Sequence, residues 1–353
     1  MIRTNKFSFL MFILAVGLLA GCDGCDSSTQ PTPPPPDAGS ALLVANQTGA
    51  GNLTVVDIDN QTVRLGAAGL GNIPNDIIRV GEKLYVINSG SGNMNVLRIN
   101  SENILTSLDT MDLDRGRGLS PQYGAIADNG KMYISNFNDG TVTILDTATG
   151  NHVGYTPVGF GPQDVVAVGD KIYVCNSGYD PQTGIRHRPG TVSVISSTNN
   201  QEIYSITVGV NPQNMTLDSE RNLHVVCSGI QDSVAGAIYK ISVRTDAVLQ
   251  VIYIGGTPGD IALTSQGLAY VAAGGWTTDG FVYLYKTTTG EIINGPQNPI
   301  LVAKGAMRII SASDGSVYVS CWDGDRVDHI VGSMKQESYV VGDGPAAMTL
   351  IER

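Results

Sequence analysis

One strand pattern returns seven times along this chain of 353 residues. Each copy is a short run of aliphatic and β-branched residues, usually with a tyrosine at its centre. The copies are centred on Leu43, Tyr85, Tyr133, Tyr173, His224, Tyr270 and Tyr318. Their spacing of 40 to 51 residues is the length that four short strands and their turns occupy in one blade of a β-propeller. The repeat therefore predicts an all-β chain, a seven-bladed β-propeller with four-stranded blades.

The order of strands within a blade is clearest around Tyr173. Four short runs of apolar residues, which we name strands a to d, follow one another there at residues 162–168, 171–176, 191–195 and 202–206. Gly, Asn, Asp and Pro separate the runs, as the turns between short strands require. No helical periodicity follows residue 22. The unit therefore predicts an up-and-down antiparallel sheet.

The two ends of the repeat region predict how the ring closes. The first strand, at residues 41–45, has the pattern of a strand b, and the last, at 346–351, has the pattern of a strand a. Seven complete blades result only if the C-terminal strand joins the first blade. Such closure removes the open sheet edges that would otherwise pair with other chains.

The N-terminus has a different character from the repeats. Arg3 and Lys6 precede an apolar run, residues 7–20, that is short for a transmembrane helix. The run ends in Leu-Ala-Gly-Cys at 19–22, which resembles the bacterial lipobox. That resemblance implies a lipoprotein signal peptide over residues 1–21 and lipidation of Cys22. The alternative is an ordinary secretory signal in which the cysteine has no role.

Residues 22–40 join this segment to the repeats. They are rich in Pro, Ser, Thr and Asp and lack apolar periodicity, which predicts a semi-rigid tether. The predicted domains are therefore a signal peptide (1–21), a lipidated cysteine with a Pro-rich tether (22–40) and the propeller (41–353). We expect the protein in the bacterial cell envelope, bound to a membrane through its lipid and facing the periplasm or the cell surface.

The overall charge excludes one class of partner. The sequence has 32 acidic against 21 basic residues, a net charge of −11, and two of the basic residues lie in the predicted signal peptide. An acidic chain without a basic stripe repels phosphate backbones, so we expect no nucleic-acid partner.

The repeat also carries a family resemblance. Tyr-Val-Cys-Asn-Ser-Gly at 173–178, followed by Thr-Val-Ser-Val-Ile at 191–195, resembles the YVTN-repeat family of bacterial seven-bladed propellers over about residues 41–353. The resemblance implies the propeller fold and an envelope setting. That family includes surface and periplasmic proteins of mostly unassigned function, and related propellers include lactonases and a lyase. The resemblance implies no catalytic residue in this chain.

Loop lengths indicate which face of the propeller binds a partner. The b-to-c and d-to-a connections share one face, which we name the top face, and several are long: 109–120, 178–190, 229–236 and 274–280. Long loops on a rigid scaffold commonly carry binding sites. Exposed aromatic anchors are expected there, and the candidates are Phe137, Phe160, Tyr179, Trp276 and Trp322. The alternative is that these rings fill the gaps between blades.

A second candidate site lies where the innermost strands begin, at the mouth of the central channel. Equivalent positions of the seven repeats hold Asp76, Tyr123, Asp164, Asn214, Asp260, Arg308 and Ala347. The oxygen side chains Asp76, Asp164, Asn214 and Asp260 are suited to Ca²⁺ or Mg²⁺. The alternative is that they cap the amides of adjacent turns.

These two sites support two hypotheses about function. The first is a non-catalytic binding scaffold for a protein or glycan, which needs no cofactor. The second is a metal-dependent lactonase or lyase at the acidic mouth, where a cation would polarise a carbonyl. The sequence contains no HExxH, Walker or GxSxG motif, so it favours the binding scaffold.

Overall fold

The computed structural model describes residues 39–186 and 189–353. The predicted signal peptide, Cys22 and the tether up to residue 38 lie outside the described residues. The described chain forms seven antiparallel sheets that succeed one another around a ring. This confirms the predicted seven-bladed propeller.

The first four blades contain the first fifteen strands. Blade 1 includes β1 (Ala41–Asn46), β2 (Asn52–Asp57) and β3 (Thr62–Gly69). Blade 2 consists of β4 (Pro74–Val80), β5 (Lys83–Asn88), β6 (Asn93–Ile99) and β7 (Leu105–Asp112). Blade 3 consists of β8 (Pro121–Ile126), β9 (Lys131–Asn136), β10 (Thr141–Asp146) and β11 (His152–Pro157). Blade 4 consists of β12 (Pro162–Val168), β13 (Lys171–Asn176), β14 (Thr191–Ser196) and β15 (Gln201–Thr207).

The remaining strands complete the ring. Blade 5 consists of β16 (Pro212–Leu217), β17 (Asn222–Cys227), β18 (Ala237–Ser242) and β19 (Ala247–Ile252). Blade 6 consists of β20 (Asp260–Leu263), β21 (Leu268–Ala272), β22 (Gly280–Lys286), β23 (Ile292–Asn294) and β24 (Ile300–Val302). Blade 7 consists of β25 (Ala306–Ser311), β26 (Val317–Cys321), β27 (Arg326–Val331) and β28 (Met334–Val340). A 3₁₀ turn, Trp322–Gly324, follows β26, and β29 (Pro345–Ile351) ends the ring.

The C-terminal strand closes the ring as predicted. β29 pairs with β1 in antiparallel register from Ala41 opposite Ile351 to Asn46 opposite Pro345, and so becomes strand a of blade 1. The seven innermost strands contact one another in sequence around the central channel. Neither end of the ring therefore leaves an inner strand without a partner.

Two details differ from the sequence prediction. The link predicted over 109–120 is shorter, because β7 continues to Asp112, which pairs with Asn93. The outer strand of blade 6 is divided, since β23 and β24 pair with opposite halves of β22. The Gly-Pro-Gln-Asn-Pro segment at 295–299 separates these halves, and its prolines cannot donate ladder hydrogen bonds.

Apolar layers between the blades form the core. Among the described residues, seven buried clusters each join two neighbouring blades, including blade 7 with blade 1. In β13, Tyr173 and Cys175 pack against blade 5, whereas Ile172 and Val174 pack against blade 3. Successive side chains of a strand point to opposite faces of the sheet. Since strand b has a neighbouring blade on each side, both of its faces are buried and carry mainly apolar side chains. Cys175, Cys227 and Cys321 are free thiols within these layers.

The tyrosine that marks strand b links one blade to the next. In three blades its hydroxyl donates a hydrogen bond of 2.6 to 2.9 Å to the c-to-d turn of the following blade, with the pairs Tyr133 to Asn200, Tyr173 to Asp246 and Tyr270 to Gly332. In blade 5, His224 takes the tyrosine position and its Nδ1 lies 2.6 Å from the Tyr285 hydroxyl of blade 6. The repeated tyrosine therefore provides both a buried ring and a polar bridge between blades.

Candidate functional site

Arg308 dominates the mouth of the central channel. It is 8% exposed and projects from β25 of blade 7. Its Nε donates to the carbonyl of Ala346 (3.1 Å), its Nη1 to Oδ1 of Asn214 (2.9 Å) and its Nη2 to the carbonyl of Asn75 (3.1 Å). The guanidinium also lies 4.2 Å from the centre of the Tyr123 ring. One side chain thus bridges blade 7 to blades 1, 2, 3 and 5.

The three aspartates of the mouth come from alternate blades, and each links its own blade to the next one. Each accepts a hydrogen bond of 2.8 to 3.0 Å from a backbone amide in the innermost strand of the next blade, with the pairs Asp76 and Gly124, Asp164 and Met215, and Asp260 and Ile309. Asp164 and Asp260 also accept from the amide of the residue that follows them. The aspartates therefore cap backbone amides. Some of the capped amides belong to the residue that follows the aspartate, and others lie in the neighbouring blade.

The charges at the mouth do not balance, since three carboxylates surround one guanidinium. Burial raises the pKa of Asp76 to about 6 and that of Asp164 to about 7, and it also raises the pKa of Asp260. Arg308 opposes these shifts by stabilising the ionised forms. The mouth is therefore a site where protons are bound near neutral pH.

The predicted cation would have to share this mouth with Arg308. Across residues 39–186 and 189–353, no three or more His, Cys, Asp or Glu side chains are grouped so that they could hold a metal ion. Asn214, the fourth predicted ligand, accepts from Arg308 and donates to the carbonyl of Gly259 (2.9 Å). The Ca²⁺ or Mg²⁺ site stays a prediction, which thermal unfolding with each ion after chelation would test.

A groove on the top face is another candidate site. It lies between the b-to-c connections of blades 5 and 6 and has a volume of about 590 Å³. Its aromatic lining residues are Trp276, Phe281 and Tyr283. Its polar side chains are Gln231, Asp232, Ser233, Thr257 and Thr277. The groove has the size and mixed lining of a small-ligand site.

The two tryptophans of the chain contact each other, but only Trp276 lines this groove. Trp276 is 52% exposed, and its ring meets the Trp322 ring edge to face at a centroid distance of 6.4 Å. Trp322 is partly buried, and its Nε1 donates to Oε1 of Gln47 in blade 1 (3.2 Å). Trp322 therefore packs against Trp276, about half of which stays exposed to a ligand.

The polar side chains of the groove have no hydrogen-bond partner in the described part of the chain. Within the described chain, Gln231, Asp232, Ser233, Thr257 and Thr277 form no side-chain hydrogen bond or ion pair. The corresponding polar residues of the channel mouth are almost all engaged with other blades. Donors and acceptors that have no internal partner are free to bind a ligand.

The other predicted aromatic anchors lie elsewhere on the top face. Phe137 stacks on Tyr179, with ring centroids 5.9 Å apart, and the Arg186 guanidinium lies 5.4 Å from the Tyr179 ring. Phe160 is 49% exposed. Phe137 and Phe160 line a separate cavity of about 300 Å³ between blades 3 and 4. The structure therefore divides the five predicted anchors between two places.

Sequence reasoning missed the polar half of the groove. Segments 229–236 and 274–280 were singled out by their length, but Gln231, Ser233 and Thr277 occur in connections that are not repeated. Their common position depends on how blades 5 and 6 pack, which no local pattern reveals. Thr257 lies in the d-to-a link between these blades, and no motif or loop length in the sequence marks it as a site residue.

Comparison with known proteins supports the fold. No family model matches the sequence, so the YVTN-repeat resemblance is supported only as far as the seven-bladed propeller, and no curated protein matches either. The structure is similar to a periplasmic gluconolactonase of Pseudomonas aeruginosa, with a TM-score of 0.65 and 14% identity over 88% of this chain and 99% of that chain.

Two further solved structures resemble the chain. Hydrazine synthase of Kuenenia stuttgartiensis has a TM-score of 0.63 and 13% identity over 80% of this chain and 96% of that chain. Virginiamycin B lyase of Staphylococcus aureus has a TM-score of 0.57 and 13% identity over 75% of this chain and 83% of that chain. At such identities the likeness shows the propeller fold, which serves many unrelated functions.

No helix between residues 39–186 or 189–353 has the length and apolar character needed to cross a membrane.

Proposed function

We propose that this chain is a lipid-anchored propeller of the bacterial envelope that binds a protein or glycan through its top face, without catalysing a reaction. The observation that carries this proposal is the groove between blades 5 and 6, where the exposed Trp276 ring adjoins five uncommitted polar side chains. Binding sites combine aromatic anchors with a small number of free polar groups in this way.

The envelope location rests mainly on the sequence. The lipobox-like tetrad ending at Cys22 and the Tyr-Val-x-Asn-x-Gly repeat, similar to that of the YVTN-repeat family, both agree with it. A similar structure belongs to a protein named as periplasmic. Membership of that family and anchoring through Cys22 are parts of the proposal.

Removing the thiol of Cys22 is expected to abolish lipid attachment. In the Cys22→Ala variant, no sulfur is present to carry the diacylglycerol, and a chain without it lacks its membrane anchor. The measurement is metabolic labelling with radioactive palmitate, followed by separation of membrane and soluble fractions. Cys25→Ala, three residues further on, is the matched control and should be labelled as the wild type is. Equal labelling of the Cys22→Ala variant would disprove the anchor.

Truncating Trp276 is expected to weaken binding to envelopes roughly 10- to 100-fold, as loss of an aromatic anchor does. The probe is envelopes isolated from the bacterium that makes the protein. The chain starting at Asp23 is used, because it keeps the closed ring and lacks the acyl group that would insert into any membrane. Binding of the Trp276→Ala variant is compared with that of the wild type by co-sedimentation.

Met334→Ala is the control for this experiment. Met334 is 67% exposed in β28, next to the c-to-d turn on the opposite face, so its loss removes exposed apolar surface away from the groove. It should leave envelope binding unchanged. If Trp276→Ala binds as tightly as Met334→Ala, the groove is not the binding site.

Lactone or lyase chemistry at the channel mouth is the alternative function. The names of two similar structures favour it, as does a carboxylate with a pKa of about 7 beside a guanidinium. Against it, Arg308 is already bound by Asn214 and lies 3.8 Å from Asp260, and each of the three aspartates already accepts a hydrogen bond from a backbone amide. Hydrolysis of gluconolactone by the wild-type protein, lost in Asp164→Asn, would establish this alternative.

A further inference from the structure

Taking the proposed top-face function as its premise, we infer that the groove between blades 5 and 6 binds a neutral saccharide, with one sugar ring stacked on the Trp276 indole. The proposed function leaves open whether the partner is a protein or a glycan. The chemistry of the groove distinguishes between them.

The groove is held in shape by backbone hydrogen bonds. In its blade 5 wall, the amide of Ile230 donates to the carbonyl of Val234 (2.8 Å) and the amide of Val234 to that of Ile230 (2.9 Å). In its blade 6 wall, the amide of Gly274 donates to the carbonyl of Ala306 (3.0 Å). Both loops are therefore ordered before a ligand arrives, which reduces the entropy lost on binding.

The Trp276 indole is positioned to accept a flat apolar surface. The ring contacts Trp322 and remains half exposed. A pyranose ring has such a surface, formed by its axial C–H groups, and these carry partial positive charge. The face of an indole carries partial negative charge, so the two surfaces attract each other.

The polar side chains match the rest of a sugar. Ser233, Thr257 and Thr277 can both donate and accept, Gln231 offers an amide and Asp232 a carboxylate. Sugar hydroxyls also both donate and accept, so each of these groups can find a partner. An apolar peptide side chain would bury the same groups without partners, which weakens binding.

The charge of the groove selects among saccharides. Its lining contains one acidic side chain, Asp232, and no Lys, Arg or His. An anionic ligand such as a sugar phosphate or a uronic acid would find no cation there and would face the carboxylate of Asp232. The groove therefore favours a neutral sugar over an anionic one.

Selective destruction of envelope components tests the ligand class. Envelopes are treated with periodate, which cleaves the vicinal diols of sugars, or with proteinase K, and the reagent is removed before the chain starting at Asp23 is added. Envelopes exposed to periodate that was first quenched with ethylene glycol are the control. We expect binding to be lost after periodate and kept after the quenched reagent. Binding should also be kept after proteinase K. Binding that survives active periodate and is lost after proteinase K overturns the inference.

Two variants separate this inference from the proposed function. Thr277→Val keeps the shape of the side chain and removes its hydroxyl, so saccharide binding should weaken about 3- to 10-fold. An apolar protein partner would instead bind Thr277→Val as tightly or more tightly. If envelope binding depends on Trp276 but survives periodate and is lost after proteinase K, the top-face function stands and the saccharide fails. If binding does not depend on Trp276, the proposed function itself fails.

Discussion

Replacing Arg308 with methionine is expected to lower the free energy of unfolding by about 3–5 kcal/mol, the cost of removing one partner from a buried charge cluster. Methionine keeps an apolar stem like that of arginine but lacks the guanidinium, so the loss comes mainly from charge and hydrogen bonds. Three acceptors lose their donor: the carbonyls of Asn75 and Ala346 and Oδ1 of Asn214. Denaturant unfolding of both proteins measures the difference.

The loss should depend on pH. Without the guanidinium, Asp76, Asp164 and Asp260 face one another with no opposing charge, and their pKa values rise further above their usual range. At pH 5 the carboxyls become protonated and the repulsion disappears, whereas at pH 8 it is largest. The difference in unfolding free energy between wild type and Arg308→Met should therefore be smaller at pH 5.

Arg98→Met is the matched control. Arg98 lies exposed in β6, and it forms no hydrogen bond or ion pair with other described residues. Exposed substitutions of this kind usually change stability by less than about 0.5 kcal/mol. Equal stabilities of Arg308→Met and Arg98→Met would show that the channel cluster contributes nothing to holding the ring together.

The fold could be predicted from the sequence because the strand pattern of one blade recurs seven times along the chain. The spacing of Tyr133, Tyr173 and Tyr270 reports the blade length, and each tyrosine makes the same bridge to the next blade. Closure was also predictable, because the strand types at the two ends of the chain complement each other. The repeat is interrupted in blade 6, and there the sequence did not predict that the outer strand is divided into β23 and β24.

The candidate sites were only half predictable. Sequence position placed Arg308 and the three aspartates at one mouth, because all of them begin an innermost strand. It did not show that Arg308 reaches Asn214 and Asn75, since these contacts cross the channel and exist only after the ring closes. The lining of the groove could not be predicted for the same reason. Thr257 and Thr277 both line it only because two blades pack together.

Asp164 is expected to make the protein less stable as the pH rises from 4 to 8. Its pKa is 3.8 in the absence of burial and about 7 in the folded chain, so between these two pH values the folded state keeps a proton that the unfolded state has released. By linkage, the free energy of unfolding then falls with rising pH, and the stabilisation is lost above about pH 7. A shift of this size corresponds to a few kcal/mol, on the order of 1.4 kcal/mol per pH unit.

The Asp164→Asn variant isolates this effect, because asparagine resembles a protonated aspartic acid and does not titrate. His152 and His224, whose pKa values are lowered by burial, favour unfolding on acidification, but they act equally in both proteins and cancel in the difference. We therefore expect the variant to gain stability relative to the wild type as the pH rises from 5 to 8. Asp279→Asn, at an exposed position, should parallel the wild type. Parallel curves for Asp164→Asn would mean that the channel mouth does not retain this proton in the folded protein.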